Sequence, residues 1–337
     1  MTFPPRSHVQ RYDQNDRILI IKHGALGDIF QAFNAFASIR HAYPVSYIAV
    51  LTSSTYKKVL QASPWFDEVL IDDRTKITDW RAARRLWSLF QNFDRVIDLQ
   101  NSGRTRLYRR LLILSPGKSP LWLNNCNLGS LSSFPTLSHA RDMHTIIRQD
   151  NFLNALSIIP VKRDIPDWLV RDGSTTPSEI PPSPYIVLVP GAADHRPAKR
   201  WPLEHFSALI AYFGGKNMPC VITGTKEQEK LGHELQNAHP HLINLIGKTS
   251  LFALVQLLNK ASLVIGNDTG PLHIAATMDR PTLTFFSKES DPRRCAPLGL
   301  SPGFNRILSC DDLSDLSVER VTDYLDLWLS ELFNAKS

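Results

Sequence analysis

The chain has 337 residues, and its 38 Lys+Arg against 32 Asp+Glu leave a formal net charge of +6. Hydrophobic residues make up 43% and charged residues 21%, which excludes long disorder, a collagen-like repeat and a disulfide scaffold. That length suits two domains, each large enough for its own core.

No apolar run approaches the ~20 residues that span a bilayer. The first 16 residues, MTFPPRSHVQRYDQND, lack the apolar stretch of a signal peptide. Cys126, Cys220, Cys295 and Cys310 are far apart, with no C-x-x-C and no zinc-site spacing. A cytoplasmic protein with reduced thiols is expected. The basic balance, with a pI of about 9.1, favours anionic partners: nucleic acid, an acidic membrane surface or a phosphorylated substrate.

After the polar arm, residues 17–22 (RILIIK) predict a buried parallel strand running into a glycine-containing loop at 23–28. A helix is expected from Ile29 to about His41, then strands at 47–51, 68–71 and 95–99 with a helix over 80–90. Residues 116–138 read as irregular, and a helix resumes over about 139–156. The stretch 171–184 (RDGSTTPSEIPPSP) has no apolar period and reads as a linker. Alternation then restarts, with strands at 185–189, 219–223, 262–265 and 282–286. Helices are expected at 203–213, 226–237, 251–259 and 271–278, and an amphipathic tail helix at 313–333. The pattern predicts two βα domains, with no short-period repeat.

Three loops follow strands and carry reactive side chains. The first is Gly24-Ala25-Leu26-Gly27-Asp28, whose glycines let a ligand approach the backbone. Its G-x-x-G spacing is not a dinucleotide fingerprint, and the second strand ends without a carboxylate, so NAD is disfavoured. Asp28 stands at a strand's carboxyl end, where open sheets place ligands; the alternative is a helix N-cap. The second loop, 190–202 (PGAADHRPAKRWP), sets Arg196, Lys199 and Arg200 after a strand. Such cations neutralise a departing diphosphate or form a solvated basic loop. The third, 266–273 (GNDTGPLH), opens a helix and offers a phosphate cradle, with His273 either aimed at it or an ordinary helix-face histidine. No G-x-x-x-x-G-K-[ST], H-E-x-x-H or G-x-S-x-G motif occurs, and no D-x-D stands at a strand end.

In this order, ILIIKHGALGD, FDRVIDLQNSGRTRL, VPGAADHRPAKRWP, VITGTKEQE and LVIGNDTGPLHIAATMDRPTLTFF resemble glycosyltransferase family 9, the ADP-heptose:lipopolysaccharide heptosyltransferases. The resemblance runs from about Arg17 to Gly303. It implies an α/β GT-B architecture: two Rossmann-like domains facing across a cleft, with a C-terminal helix crossing back to the first domain. The domains implied are an arm at 1–16, an acceptor domain at 17–170, the linker at 171–184, a donor domain at 185–312 and the crossing helix at 313–337. By position, Asp28 matches the family's general base, and Lys199 the lysine facing the donor phosphates. Asp268, Thr269, Gly270 and His273 match the loop that holds the nucleotide sugar. Gly191 and Ala192, Gly224 and Glu227 (or Glu229), and Thr249 also fall on the donor side. Gly24, Gly27, Arg104 and Arg106 fall on the acceptor side. His23 and the alanines after Gly191 depart from the family pattern.

The implied reaction is an inverting transfer from an ADP-sugar to an anionic glycolipid acceptor of a Gram-negative cell, with neither cofactor nor metal. Weak peripheral association with the inner membrane, and no nucleic acid, complete the expected partners. The alternatives are another nucleotide-sugar donor, a protein acceptor, or a non-catalytic nucleotide-sugar binder.

Overall fold

A computed structural model describes residues 15–72, 80–114, 117–124, 142–171, 180–193 and 196–334. Most of the arm and of the linker, and Cys126 with most of the segment read as irregular, lie outside the described residues.

The chain divides into two compact units, Met1–Arg163 and Asp164–Ser337. The division falls before the proline-rich stretch, because residues 164–170 are held by the second unit. There Leu169 is fully buried, and the Gln256 side chain donates to the Val170 carbonyl at 3.0 Å.

The first unit is one parallel sheet in the order β3-β2-β1-β4-β5. Its strands are β1 (Arg17–Ile21), β2 (Tyr47–Thr52), β3 (Glu68–Ile71), β4 (Arg95–Asp98) and β5 (Leu121–Leu123). β1 is buried from Ile18 onward and pairs with β2 and β4, with Ile21 opposite Asp98. Burial on both faces is why the central strands read as unbroken apolar runs. The helices are α1 (Leu26–Phe30), α2 (Phe33–Ala42), α3 (Lys57–Ala62), α4 (Trp80–Phe90), α5 (Gly103–Leu114) and α6 (Thr145–Ala155). α4 and α5 close one face over Leu19, Ile21 and Leu51, through Leu86, Phe90, Tyr108 and Leu112.

The second unit repeats the plan with six parallel strands in the order β11-β10-β9-β6-β7-β8. They are β6 (Ile186–Val189), β7 (Cys220–Ile222), β8 (Ile243–Asn244), β9 (Leu263–Asn267), β10 (Thr282–Phe286) and β11 (Asn305–Ser309). The helices are α7 (Leu203–Gly215), α8 (Glu229–Ala238), α9 (Leu251–Lys260), α10 (Gly270–Thr277), α11 (Pro292–Cys295) and α12 (Val318–Asn334). Both sheets have the doubly wound order, with the reversal between β1 and β4 and between β6 and β9. Val321, Leu325 and Trp328 of α12 join the second unit's core, and the Trp328 indole donates to the Gly303 carbonyl at 3.0 Å. No described helix is long and apolar enough to cross a membrane.

Three departures from the sequence expectation bear on the site. The first helix begins at Leu26, so Gly27 and Asp28 lie in its first turn rather than in the loop. β9 runs through Asn267, so the third loop shrinks to Asp268 and Thr269. β5 lies within the segment read as irregular, and β8 and β11 fall outside the strands the sequence predicts; like β3, all three are sheet edges. β5 and β8 have only three and two residues, and β11 buries only Leu308, so their apolar pattern is weak.

Gly266 shows how tightly the second sheet reverses: a Cβ there would meet the Val189 carbonyl oxygen at 2.5 Å. Gly266→Ala should therefore destabilise the protein by ~1–3 kcal/mol in urea unfolding. Gly214→Ala, at an exposed position of α7 where an added methyl meets nothing within 4 Å, should be neutral or raise stability by ~0.4–1 kcal/mol.

Candidate functional site

In the first unit, the β1–α1 turn is shaped by Gly24, whose φ of +36° favours glycine and whose Cβ would fall 2.5 Å from that of Asp28. The turn is held from across the sheet reversal. The Gln100 side-chain oxygen accepts from the backbone N–H of His23 at 3.0 Å and of Gly24 at 2.9 Å. Asp28 is half-buried, and its Oδ2 accepts from the Ala25 N–H at 2.9 Å. Asp28 thus reaches back to the N-cap from the third helical position and is not itself the N-cap.

Beside this turn lies a charged cluster that the motifs did not reveal. Lys22, immediately after β1, is buried and reaches the Leu99 carbonyl at 3.4 Å. Burial lowers its pKa, while Asp28 and Asp98 pull it up and Arg148 pushes it down. Burial raises the Asp98 carboxyl, opposed by hydrogen bonds from Asn101, Thr105 and Gln100. Asp72, after β3, is buried and receives Arg104 Nη2 at 3.0 Å and the Tyr108 hydroxyl, with His23 Nε2 at 3.3 Å. Burial, then the bond to Asp72, pushes the Tyr108 phenol well up. Of the two arginines expected on the acceptor side, Arg104 is therefore committed to Asp72 and Tyr108, whereas Arg106 is exposed.

In the second unit, the loops after β6 and β9 and the first turn of α10 bring together Lys199, Asp268 and His273. Lys199 Nζ lies 2.6 Å from Asp268 Oδ2, and His273 Nε2 lies 3.9 Å from Asp268 Oδ1. Burial alone raises the Asp268 carboxyl, but His273, Lys199 and Ser290 outweigh it and hold it down at about 2. The arrangement rests on Asn267, which is fully buried. Its Oδ1 accepts from the Trp201 N–H at 2.9 Å, and its Nδ2 donates to the Pro190 carbonyl at 2.8 Å. Thr269 occupies the N-cap of α10, yet its hydroxyl bonds back to the Asn267 carbonyl at 3.1 Å and does not cap the helix. Gly270 is the first helical residue, followed by Pro271.

The remaining donor-side expectations are more dispersed. Gly191 and Gly224 both abut Gln228: a Cβ on either would fall 2.1 Å and 2.3 Å, respectively, from its side-chain oxygen. Gln228 Nε2 also donates to the Ala192 carbonyl at 3.3 Å, as does Arg200 Nη2 at 2.9 Å. The residue of GTKEQE facing this loop is thus Gln228, while Glu227 is exposed and Glu229 lies against Gly247. Thr249 is half-buried, just before the Ser250 cap of α9. Cys295 completes the surroundings of Asp268; burial, then the Asp268 charge, pushes its thiol up to about 11.

Two doubly wound units, one with a carboxylate and the other with a lysine–carboxylate pair at the sheet reversal, define an α/β protein suited to phosphate-bearing substrates. The chain belongs to glycosyltransferase family 9 (heptosyltransferase), whose family model matches residues 81–310. The lipopolysaccharide heptosyltransferase 2 of Salmonella typhimurium is 24% identical over 355 residues, covering 94% of this chain and 99% of that protein. The lipooligosaccharide heptosyltransferase 2 of Haemophilus influenzae is 34% identical over 120 residues, 34% of each chain. Among solved structures, E. coli heptosyltransferase WaaC with ADP superimposes with a TM-score of 0.71 at 21% identity, covering 93% of this chain and 99% of that one.

The Asp268 environment gives a pH test. A carboxyl held at about 2 when folded and near the ordinary aspartate value of 3.8 when unfolded adds stability that is complete above about pH 4. That contribution, about 2 kcal/mol, is lost as pH falls through about 2. Urea unfolding between pH 5 and pH 2 should lose stability less steeply in Asp268→Asn than in the wild type.

Proposed function

We propose that the protein transfers a heptose from an ADP-sugar to the core of a lipopolysaccharide-type glycolipid, with inversion at the anomeric carbon. Near-complete coverage of heptosyltransferases by this chain supports the reaction class, and ADP in the E. coli neighbour supports the nucleotide. The observation that carries the assignment of roles is the Lys199–Asp268 pair at the mouth of the second sheet.

In the proposed step an acceptor hydroxyl oxygen attacks the anomeric carbon. The bond from that carbon to the phosphate oxygen breaks, and the electron pair leaves with ADP. Asp28, fixed by Ala25 at the start of α1, takes the hydroxyl proton. General-base help of this kind is worth ~10²–10⁴-fold. Lys199 meets the growing charge on the diphosphate, and Asp268 and Asn267 fix where the ammonium stands. Gly191 leaves the backbone bare beside Gln228, where a side chain would collide. A lipid-anchored acceptor places the enzyme at the cytoplasmic face of an anionic membrane, as a peripheral protein.

Asp28→Asn keeps the bond to Ala25 but cannot take the proton, so kcat should fall ~10²-fold with ADP affinity unchanged. Lys199→Ala should weaken ADP binding by ~1.5–3 kcal/mol or more, because it also leaves Asp268 as an uncompensated charge beside the diphosphate. Adding Asp268→Asn should then restore part of that loss. Calorimetric titration of ADP into all variants decides it: equal losses for Asp28→Asn and Lys199→Ala would remove the division of labour. Full turnover by Asp28→Asn would leave that carboxylate only its capping role.

A further inference from the structure

Two neighbouring helices of the first unit carry arginines with no acidic residue among them. α4 (WRAARRLWSLF) and α5 (GRTRLYRRLLIL) hold seven arginines and no acidic residue, more than the chain's whole excess of six cations. The two helices pack side by side, burying Leu86 and Phe90 of one and Tyr108 and Leu112 of the other against the sheet. Their outer faces present Arg84, Arg85, Arg106 and Arg110 to solvent. Among the described residues, no ion pair engages these four. Large apolar side chains stand among them: Trp80 is 65% exposed, Ile113 63% and Leu107 40%. Arg81 lies over the Trp80 ring, 5.6 Å from its centroid.

Arginines interleaved with exposed aromatic and aliphatic chains match a surface that offers both negative charge and hydrocarbon. An anionic bilayer does so: its headgroups attract the guanidinium groups, and its acyl boundary takes up Trp and Ile. Nucleic acid would use the cations but would give Ile113 and Leu107 no apolar medium. Topology adds a second argument. α5 follows β4 directly and α4 precedes it, so both helices start at the carboxyl edge of the sheet, the edge that carries Asp28.

We propose that the outer face of α4 and α5 docks the enzyme on anionic phospholipid, and so brings a lipid-anchored acceptor to the edge of the sheet that holds Asp28. The proposal rests on the acceptor reading above, and its test is separable from it. Flotation with phosphatidylcholine vesicles, with and without phosphatidylglycerol, is measured over a range of salt for wild type, Arg84→Glu/Arg85→Glu and Trp80→Ser. All three positions are exposed, and matching thermal melts check the fold. The wild type should bind only the phosphatidylglycerol vesicles and release as salt rises. The double reversal should weaken that binding at least about tenfold. Trp80→Ser should weaken it too while leaving the salt slope unchanged. Transfer to an acceptor stripped of its acyl chains should be the same for all three.

The docking face is wrong if the double reversal binds phosphatidylglycerol vesicles like the wild type, or if the wild type binds a DNA duplex in preference to them. Loss of transfer to the stripped acceptor in Arg84→Glu/Arg85→Glu alone would also overturn it, by placing the face in catalysis. Failure of the wild type to transfer to that acceptor would instead count against the heptosyltransferase reading, whatever the vesicles show.

Discussion

The second unit's site depends on one buried amide. Asn267 ends β9 and bonds both the Pro190 carbonyl, just after β6, and the Trp201 N–H, farther along the same connection. Leaving either end of that amide unmatched inside the sheet costs ~1–3 kcal/mol, so both loops are pinned relative to β9. Lys199 is two residues before Trp201 and Asp268 is the residue after Asn267, so pinning the backbone brings the two charges together. Trp201 makes the pin rigid. It is buried against Phe206 and Phe285, and its indole donates to the Leu316 carbonyl at 2.7 Å. The ion pair is a consequence of this frame, and its buried charges are tolerable because the frame holds them in register.

The first unit uses the same device with different residues. Gln100 follows β4, the strand across the reversal from β1, and its oxygen gathers the N–H groups of His23 and Gly24. In both units the strand beyond the reversal sends an amide to the loop of the strand before it. A parallel sheet at its reversal leaves a crevice between two diverging connections, and backbone groups there have no ladder partner. An amide satisfies them without adding a further charge to the crevice, because its oxygen accepts and its nitrogen donates.

The central strands were legible in the sequence because burial on both faces writes them as apolar runs, and the reactive loops followed as the segments after those runs. The Lys199, Asp268 and His273 grouping was legible only through the family motif, since its members are up to 74 residues apart in the numbering. What escaped depends on which strands are neighbours. Gln100 and Asn267 look like ordinary loop polars until β1 is known to lie beside β4, and β6 beside β9. Nothing in the helix of Arg104 reveals its partner Asp72, which β3 delivers from 32 residues away. The place of Gln228 beside Gly191 and Gly224 is hidden for a similar reason, since packing across the sheet sets it. Lys22 is legible as well: a charged residue directly after an apolar strand lies at the carboxyl edge, where open sheets bind ligands.

Asp28 need not choose between supporting its helix and accepting a proton. A carboxylate has two oxygens and about four lone-pair sites, and the Ala25 N–H occupies one of them. That bond fixes the group's orientation, which a general base needs, and leaves lone pairs for the proton. Lys22 adds a coupling. Its buried ammonium is opposed by desolvation and sustained by the charges of Asp28 and Asp98. Its contact with the Leu99 carbonyl ties this charge to the end of β4, so the two connections at the reversal are joined through Lys22 as well as through Gln100.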